Sequence, residues 1–532
     1  MVSKHDARTA IALSESWPGP MLSRAKAARE IWLSEHGVIG EPPIDACSTL
    51  MLGTDCAGAE APVFALKGLK LPFQHQWAAE IAPHARAFIT STCALSPDRL
   101  LGDMCSRRHQ DLDTISLYVC GFPCKPWSRL NNHSRHWDDP NAKPFEAGPT
   151  ISFAMLETVQ AKRPSICIFE NVVGILPFMP EIQGRMPAAL PEYHIFWTRQ
   201  CPTSLGHAVR RPRIYFLAIR KDASVIEDAA GLCCLGNCLL GSLRKDLVAP
   251  LGDRLLPKTH RFVKRFLDQQ CQKSESKGQE KNKPKWKSQQ VRERQLLTSE
   301  QRQCPGPPKI DGHLTARQRG AWELEWRRQC HANESLAVDV SQTAGRCPFG
   351  VGGLCPTLTP GGKVVVASVK RCICPEEAML LHGFPFNAIQ ASSVSPKQLA
   401  SLAGNAMHVE SVAAMLVVGL SLLRVNRINA SPPAVPWSTS VSAFLQMKAH
   451  GVDADEGVAV KKVAKQVPSV KEQIDKGAAK RPAKMIAVKK IATAKPKASA
   501  KQQYPHRKLS GHYGKPSVFE KASVKPKKSR RS

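Results

Sequence analysis

Residues 115–128 read Ile-Ser-Leu-Tyr-Val-Cys-Gly-Phe-Pro-Cys-Lys-Pro-Trp-Ser, an apolar run that stops at a proline-flanked cysteine. Ile115–Cys120 has the length and composition of a buried strand, and the glycine and prolines after it end the strand. Cys124 therefore stands on a strand-to-loop turn, where a reactive thiol would be placed. A second apolar run, Ser165–Phe169, leads into Glu170, Asn171 and Val172. A thiolate adds to an electron-poor ring carbon, and a nearby carboxylic acid favours that addition by protonating a ring nitrogen. One cysteine and one glutamate, each at a strand end, suit that chemistry.

Outward from this pair, short β-rich runs alternate with helix-like stretches from about residue 45 to 220. That rhythm is the signature of βαβ units around a parallel sheet, so the fold class is α/β and Rossmann-like. Ser48–Gly53 is the expected first strand. It runs into the turn Thr-Asp-Cys-Ala-Gly-Ala-Glu-Ala-Pro at 54–62, and Val63–Leu69 is the expected helix beyond it. In a doubly wound sheet ligands sit at the carboxyl ends of the strands, which would bring this turn, Glu80, Asp103, Cys124 and Glu170 to one crevice.

The rest of the chain divides by composition. Residues 221–365 lose the alternation and become basic and polar, with Lys, Arg and Gln crowded at 281–287 and 292–302, as in an inserted module with flexible parts. Helical spacing returns at 371–385 and 395–423, segments expected to pack back onto the first domain. From 425 to 532 Lys, Ala, Pro, Ser and Val dominate. Within 451–532 there are 22 Lys and Arg against 6 Asp and Glu, too little apolar area for a core, so disorder is expected there. Lys525-Pro-Lys-Lys-Ser-Arg-Arg531 has the composition of a nuclear-import signal.

A formal net charge of +31 over 532 residues points to polyanion partners, nucleic acid foremost. The start, Met-Val-Ser-Lys-His-Asp, lacks the apolar stretch of a secretory signal, so the 18 cysteines are expected to be reduced thiols. They form no paired C-x-x-C arrays, and no metal site is assigned. The run Val412–Leu423 is interrupted by Gly419 and is read as a buried helix too short to span a bilayer, so no membrane partner is expected.

The order of these motifs resembles the cytosine-C5 DNA methyltransferase family over roughly residues 45–424. The resemblance implies a catalytic and cofactor-binding core at 45–220 that binds S-adenosylmethionine, and a target-recognition region at 221–365. It further implies C-terminal motifs at 366–424 that fold back on the core, between an N-terminal extension (1–44) and the basic tail (425–532). Cys124 would attack C6 of a flipped-out cytosine and activate C5 toward the cofactor methyl group. Glu170 would hold and protonate the N3 edge, Asn171 would brace the Pro-Cys loop, and Arg211 and Arg213 would contact the base and organise the pocket. Asp55, Cys56, Ala57 and Gly58 would form the first cofactor loop, Glu80 and Ile81 the ribose motif, and Asp103 the adenine contact. The Gly404-Asn405-Ala406 segment would complete the cofactor pocket, and Pro375–Pro385 would support the recognition region.

The chain departs from the family pattern at several points. Cys56 stands where an aromatic ring is common, and Glu60 where a second glycine is. Glu60 would crowd the cofactor or attract its positive charges. Val209 replaces a usual glutamine, and Pro212 stands between the arginines. The implied partners are double-stranded DNA and chromatin, and the implied location is the nucleus. Two further readings stay open: a transfer-RNA cytosine-C5 methyltransferase, and a catalytically silent DNA- or chromatin-binding relative.

Overall fold

Two helices open the computed structural model. In α1 (Ala7–Glu15) the Asp6 carboxylate accepts from the Arg8 N–H at 2.5 Å and so caps the first turn, and Pro18 starts α2 (Pro18–Glu35). The structure describes residues 6–38, 41–42, 48–124, 127, 149–275 and 285–432. The basic tail beyond 432, with its import-like stretch, lies outside them, as do the Lys-rich residues 281–284 and the loop after Cys124 apart from Trp127. All described residues fall in the first of two units of the chain, Met1–Val467; the second, Pro468–Ser532, lies outside the described residues.

The α/β alternation is realised as β1 (Leu50–Asp55), α3 (Ala61–Leu69), β2 (Phe73–Ala79), α4 (Pro83–Thr92), the short β3 (Leu100–Leu101) and β4 (Leu117–Cys120). Next come α5 (Pro149–Lys162), β5 (Ile166–Val172), α6 (Met179–Ala189), β6 (Tyr193–Gln200) and β7 (Arg213–Arg220). The sheet order is β3-β2-β1-β4-β5-β7-β6. The first five strands in this order are mutually parallel, and β7 is antiparallel to both β5 and β6. β1 runs two residues past the expected Gly53, because Thr54 and Asp55 pair with Val119 and Cys120 and their polar side chains find partners inside.

Residues beyond β7 do not leave the core as early as the composition suggests. Leu232, Leu235, Leu239 and Leu243 on α7 (Ala229–Leu243) recur at helical spacing and are buried in the main hydrophobic cluster, and α7 packs on α2 and β6. The basic region that follows is largely structured. It contains α8 (Arg261–Glu275), α9 (Lys285–Gln295), α10 (Ser299–Gln303) and α11 (Ala316–Arg328). A second sheet is formed by β8 (Ala337–Asp339), β9 (Phe349–Gly350), β10 (Val364–Val366) and β11 (Arg371–Cys372), in the antiparallel order β11-β10-β8-β9.

Four helices then return: α12 (Pro375–Leu380), α13 (Phe386–Ala391), α14 (Pro396–Asn405) and α15 (Val409–Ser421). The stretch Pro396–Ser421 is long and apolar enough to cross a membrane, contrary to the shorter run read from sequence, but 94% of its most apolar window is buried inside the protein. Every residue of α15 is buried, against α2, α3 and α7 and over β5 and β7. Each of its buried Val, Leu and Met side chains contributes about 1.5–3 kcal/mol relative to exposure. Gly419 permits the close pass over the sheet, since a Cβ there would lie 2.1 Å from Ile166 Cδ1. Arg29 of α2 is buried and donates from Nε to the Ser421 carbonyl at 3.0 Å, tying the N-terminal helices to the end of α15.

Candidate active site

β4 ends at Cys120, and the chain turns through Gly121, Phe122 and Pro123 to Cys124. Trp127 anchors this turn: its backbone N–H donates to the Cys124 carbonyl at 3.0 Å, and its buried ring meets Phe122 edge-on at 5.4 Å. The neighbouring strand β5 supplies the second anchor. Asn171, 1% exposed, donates from Nδ2 to the Phe122 carbonyl at 3.1 Å while its Oδ1 accepts the Val172 N–H at 2.8 Å.

Glu170, one residue before, is 9% exposed. Its Oε1 lies 2.9 Å from Arg213 Nε, and its Oε2 faces Gly121, where an added Cβ would stand 3.7 Å away. Register explains the meeting. Across the antiparallel β5–β7 pair, Glu170 faces Tyr215 and Val172 faces Arg213, so the long arginine reaches back along the strand. Burial pushes the Cys124 thiol above its ordinary value and Glu170 adds to that shift, while Arg213 and then Arg211 pull it back. Carboxylate and guanidinium are thus close enough to act on the charge of the thiol.

Arg211, though near enough to act on Cys124, turns its guanidinium to the backbone. Its guanidinium is buried and donates to the carbonyls of Leu358 at 3.0 Å, Gly404 at 3.1 Å and Ala406 at 2.7 Å. The bonds of the guanidinium expected to contact the base thus run to backbone carbonyls. Arg211 is a positioning residue that binds the end of α14 and the 358 loop to the entry of β7. Gly404 has no room for a side chain, since a Cβ would fall 2.1 Å from the Pro360 nitrogen. Ala406 is buried and its carbonyl is taken by Arg211, so of the Asn405 and Ala406 pair only Asn405 is exposed.

The turn after β1 is also redistributed. Asp55 is read from sequence as a cofactor residue, but its carboxylate is fully enclosed. It accepts from Arg107 at 2.8 and 2.6 Å and from the Tyr118 hydroxyl at 2.6 Å, with Arg107 lying 4.6 Å over the Trp77 ring. Burial raises the Asp55 carboxyl and the Arg107 charge opposes the shift. Ala57 is buried as well, its N–H bonded to the Ala79 carbonyl at 3.1 Å.

Glu60 neither crowds the crevice nor attracts charge into it. Its side chain is wholly buried, accepts the Thr54 hydroxyl at 2.5 Å and lies 3.4 Å from His75 Nε2. Cys56 stays partly exposed and packs its sulfur 3.8 Å from that of Met104. Arg107, Tyr118, Trp127 and Met104 carry much of this support and do not stand out in the sequence, because their partners are set by the fold and, for Arg107, Tyr118 and Met104, lie tens of residues away.

The remaining cofactor candidates do gather. Gly58 adopts φ +57°, a left-handed conformation that glycine accepts readily, and its N–H donates to Glu80 Oε2 at 2.8 Å. Glu80 Oε1 accepts the Ala82 N–H at 2.7 Å. Each Glu80 oxygen keeps a lone pair for a further donor, which suits a diol. Ile81 beside it is 72% exposed, an apolar surface available to a flat ring. Asp103 is exposed and uses Oδ1 to accept the Cys105 N–H at 2.9 Å. A carboxylate able to accept from ribose hydroxyls, an exposed aliphatic face and a second acceptor carboxylate fit a nucleoside such as that of S-adenosylmethionine.

One group of metal-ligand types is found among the described residues, Glu300, Cys330 and His331, with donor atoms within 4.8 Å of one another. It lies in the basic region and contains no residue of this site. The described cysteines are all free.

A family model for the C-5 cytosine-specific DNA methylases matches residues 55–417, a span that holds every element of this site from Asp55 to Ala406. The chain belongs to that family. Among its relatives, the DNA (cytosine-5-)-methyltransferase DMT5 of Cryptococcus neoformans var. grubii serotype A is 26% identical over 428 residues, 70% of this chain. Those residues are 17% of that protein, so the chain spans less than a fifth of its relative's length. Among solved structures, the S. pombe Dnmt2 methyltransferase matches at TM-score 0.39 and 15% identity, over 70% of this chain and 98% of its own. An Entamoeba histolytica methyltransferase, EhMeth, matches at TM-score 0.36 and 10% identity, over 70% and 98%.

Proposed function

We propose that this methylase transfers a methyl group from S-adenosylmethionine to C5 of a cytosine in double-stranded DNA, with Cys124 as nucleophile. The observation that carries the reading is the convergence of Cys124, Glu170 and Arg213 on a loop that Asn171 holds from the adjacent strand. Family membership supports DNA as the acceptor.

When bound, S-adenosylmethionine supplies an electrophilic methyl group. Glu80, Ile81, Asp103 and Gly58 would hold its nucleoside part. A cytosine inside a duplex hides C6, so the base must leave the stack at a cost of a few kcal/mol. Cys124 then adds to C6 as the thiolate. Glu170, fixed through Oε1 by Arg213, presents Oε2 to the N3 edge and donates a proton there as negative charge builds on the ring. Addition at C6 makes C5 nucleophilic. C5 would take that methyl group and release the donor as its neutral thioether; loss of the C5 proton, departure of the Cys124 sulfur and return of the N3 proton to Glu170 then restore the aromatic ring.

A nuclear location and contact with chromatin belong to the same reading. They rest on the basic composition of 451–532 and on the Lys525–Arg531 stretch. Fluorescent tagging of the full chain with and without 525–531 tests the location.

The experiment for the reaction incubates the purified protein with methyl-labelled S-adenosylmethionine and either duplex DNA or transfer RNA. Label recovered as 5-methylcytosine in DNA is the expected result. Label confined to transfer RNA, or no label despite cofactor binding, would overturn it.

A further inference from the structure

The segment Val-Arg-Arg-Pro-Arg at 209–213 divides its arginines between two sides of the strand entrance. Arg211 turns inward to three carbonyls and Arg213 turns to Glu170, while Arg210 and Pro212 line a separate cleft of about 1010 Å³. This cleft lies between the end of β6, the C-terminal end of α7 and α2. Its charged lining is Arg24, Arg199, Arg210, Arg244 and Lys245, against the single acid Asp246.

Among the described residues none of the four arginines forms an ion pair with a carboxylate, although ion pairs hold many other arginines of this chain. Arg24 instead donates to the Arg244 carbonyl at 3.4 Å, which joins the N-terminal helix to the cleft wall. The side chains of Arg24, Arg199, Arg210 and Arg244 are exposed. Five cations facing one acid repel one another, and an anion with several charges relieves that repulsion. Asn237 adds an amide, a neutral donor that phosphate oxygens also accept.

The position is informative as well. Gln200 pairs with Arg213 across β6–β7, and Arg213 pairs with Val172 across β5–β7. The cleft therefore begins two strand spacings, roughly 10 Å, from the strand that carries Glu170. At ~3.4 Å rise per nucleotide that distance is about three steps along a strand.

We propose that this cleft is a phosphate-backbone site for duplex DNA, gripping the substrate a few nucleotides from the cytosine, and that α2 contributes Arg24 to it. The proposal rests on the function proposed above and gives the N-terminal extension a part in substrate binding. It is independent of base reading, because phosphate contacts position a duplex and carry no sequence information directly.

The test measures binding of a fluorescent DNA duplex to the full chain by anisotropy over a salt series. Three proteins are compared: wild type, Arg24→Gln with Arg244→Gln, and the charge-keeping Arg24→Lys with Arg244→Lys. Neither residue belongs to the catalytic pocket. The glutamine pair is expected to bind at least about tenfold more weakly, and its slope of log K against log salt to be smaller by about 1.8, about 0.9 for each phosphate no longer neutralised. The lysine pair should keep the wild-type slope.

A glutamine pair with the wild-type slope would overturn the proposal. A lysine pair as weak as the glutamine pair would overturn it too, because the defect would then follow the packing of the arginines and not their charge. A wild-type protein that binds DNA with the larger slope yet methylates nothing would refute the chemistry and leave the cleft. Methylation with a slope unaffected by the glutamine pair would refute the cleft and leave the chemistry.

Discussion

Arg213 Nε stands 2.9 Å from Glu170 Oε1, so one oxygen of this carboxylate is held and the other faces the root of the Cys124 loop. This contact fixes where the acid can deliver a proton. It also places a positive charge near a thiol that burial and Glu170 push up.

The first consequence is a pair of opposite pH shifts. Alkylation of Cys124, followed by mass spectrometry against pH, reads the thiolate fraction. Arg213→Gln removes a charge that favours the thiolate, so its alkylation profile should move to higher pH than wild type. Glu170→Gln removes a charge that opposes it, so its profile should move to lower pH. Shifts in the same direction for both variants would show that the two charges do not act on Cys124 as placed here.

Asn171→Ala leaves the Phe122 carbonyl and the Val172 N–H without their buried partner. Loss of about 1–3 kcal/mol of stability is expected from unsatisfied groups alone. Because the loop carrying Cys124 loses one of its two anchors, kcat should fall by about 10- to 100-fold with little change in cofactor Kd, a misplacement effect. Calorimetry and steady-state kinetics check the two parts separately.

Glu410, on the first turn of α15, is almost completely buried, and burial raises its carboxyl to about 7 despite Lys245 and Arg254. A folded value above the unfolded one means that the native state holds the proton more tightly. Its contribution to stability is therefore full below the unfolded value of 4.5 and is lost as pH rises through about 7. Glu410→Gln should be more stable than wild type at about pH 8, by up to about 3 kcal/mol, and nearly equal to it at about pH 4. Thermal melts at both pH values measure the difference.

Gly404→Ala places a methyl group against the backbone of residues 359–360, where no flexible side chain can yield. A cost of about 1–3 kcal/mol or more is expected. Since Arg211 bonds to the Gly404 and Ala406 carbonyls, the shift should reach the entry of β7 and reduce methylation as well as Tm. Rotation of α14 cannot absorb the methyl group, because Leu399 and Leu402 are already buried on its inner face. Thermal melts and the methyl-transfer assay read the two effects.

Much of this site was legible in the sequence for a simple reason. Cys124 and Glu170 each follow a continuous apolar run, and continuous runs become strands buried on both faces whose ends meet at one rim. What failed was direction. Arg211 and Arg213 are two apart, as residues on one strand face would be, but β7 begins only at Arg213, so no pleat relates them. Asp55 reads as a loop acid because its partners, Arg107 and Tyr118, are 52 and 63 residues away in the chain. The core helix α7 was hidden in a stretch of Cys and Gly, although its leucines keep helical spacing. The partial match of the cofactor loop was resolved only by packing, which buries Glu60 against Thr54.

The most direct test of Cys124 as the nucleophile uses duplex DNA in which the cytosine carries fluorine at C5. The fluorine cannot depart as a proton does, so a C6 adduct would be trapped after methyl transfer. Digestion and mass spectrometry should find the DNA attached to Cys124, dependent on S-adenosylmethionine and absent in Cys124→Ala. An adduct on another residue, or methylation of ordinary DNA by Cys124→Ala at the wild-type rate, would contradict the account.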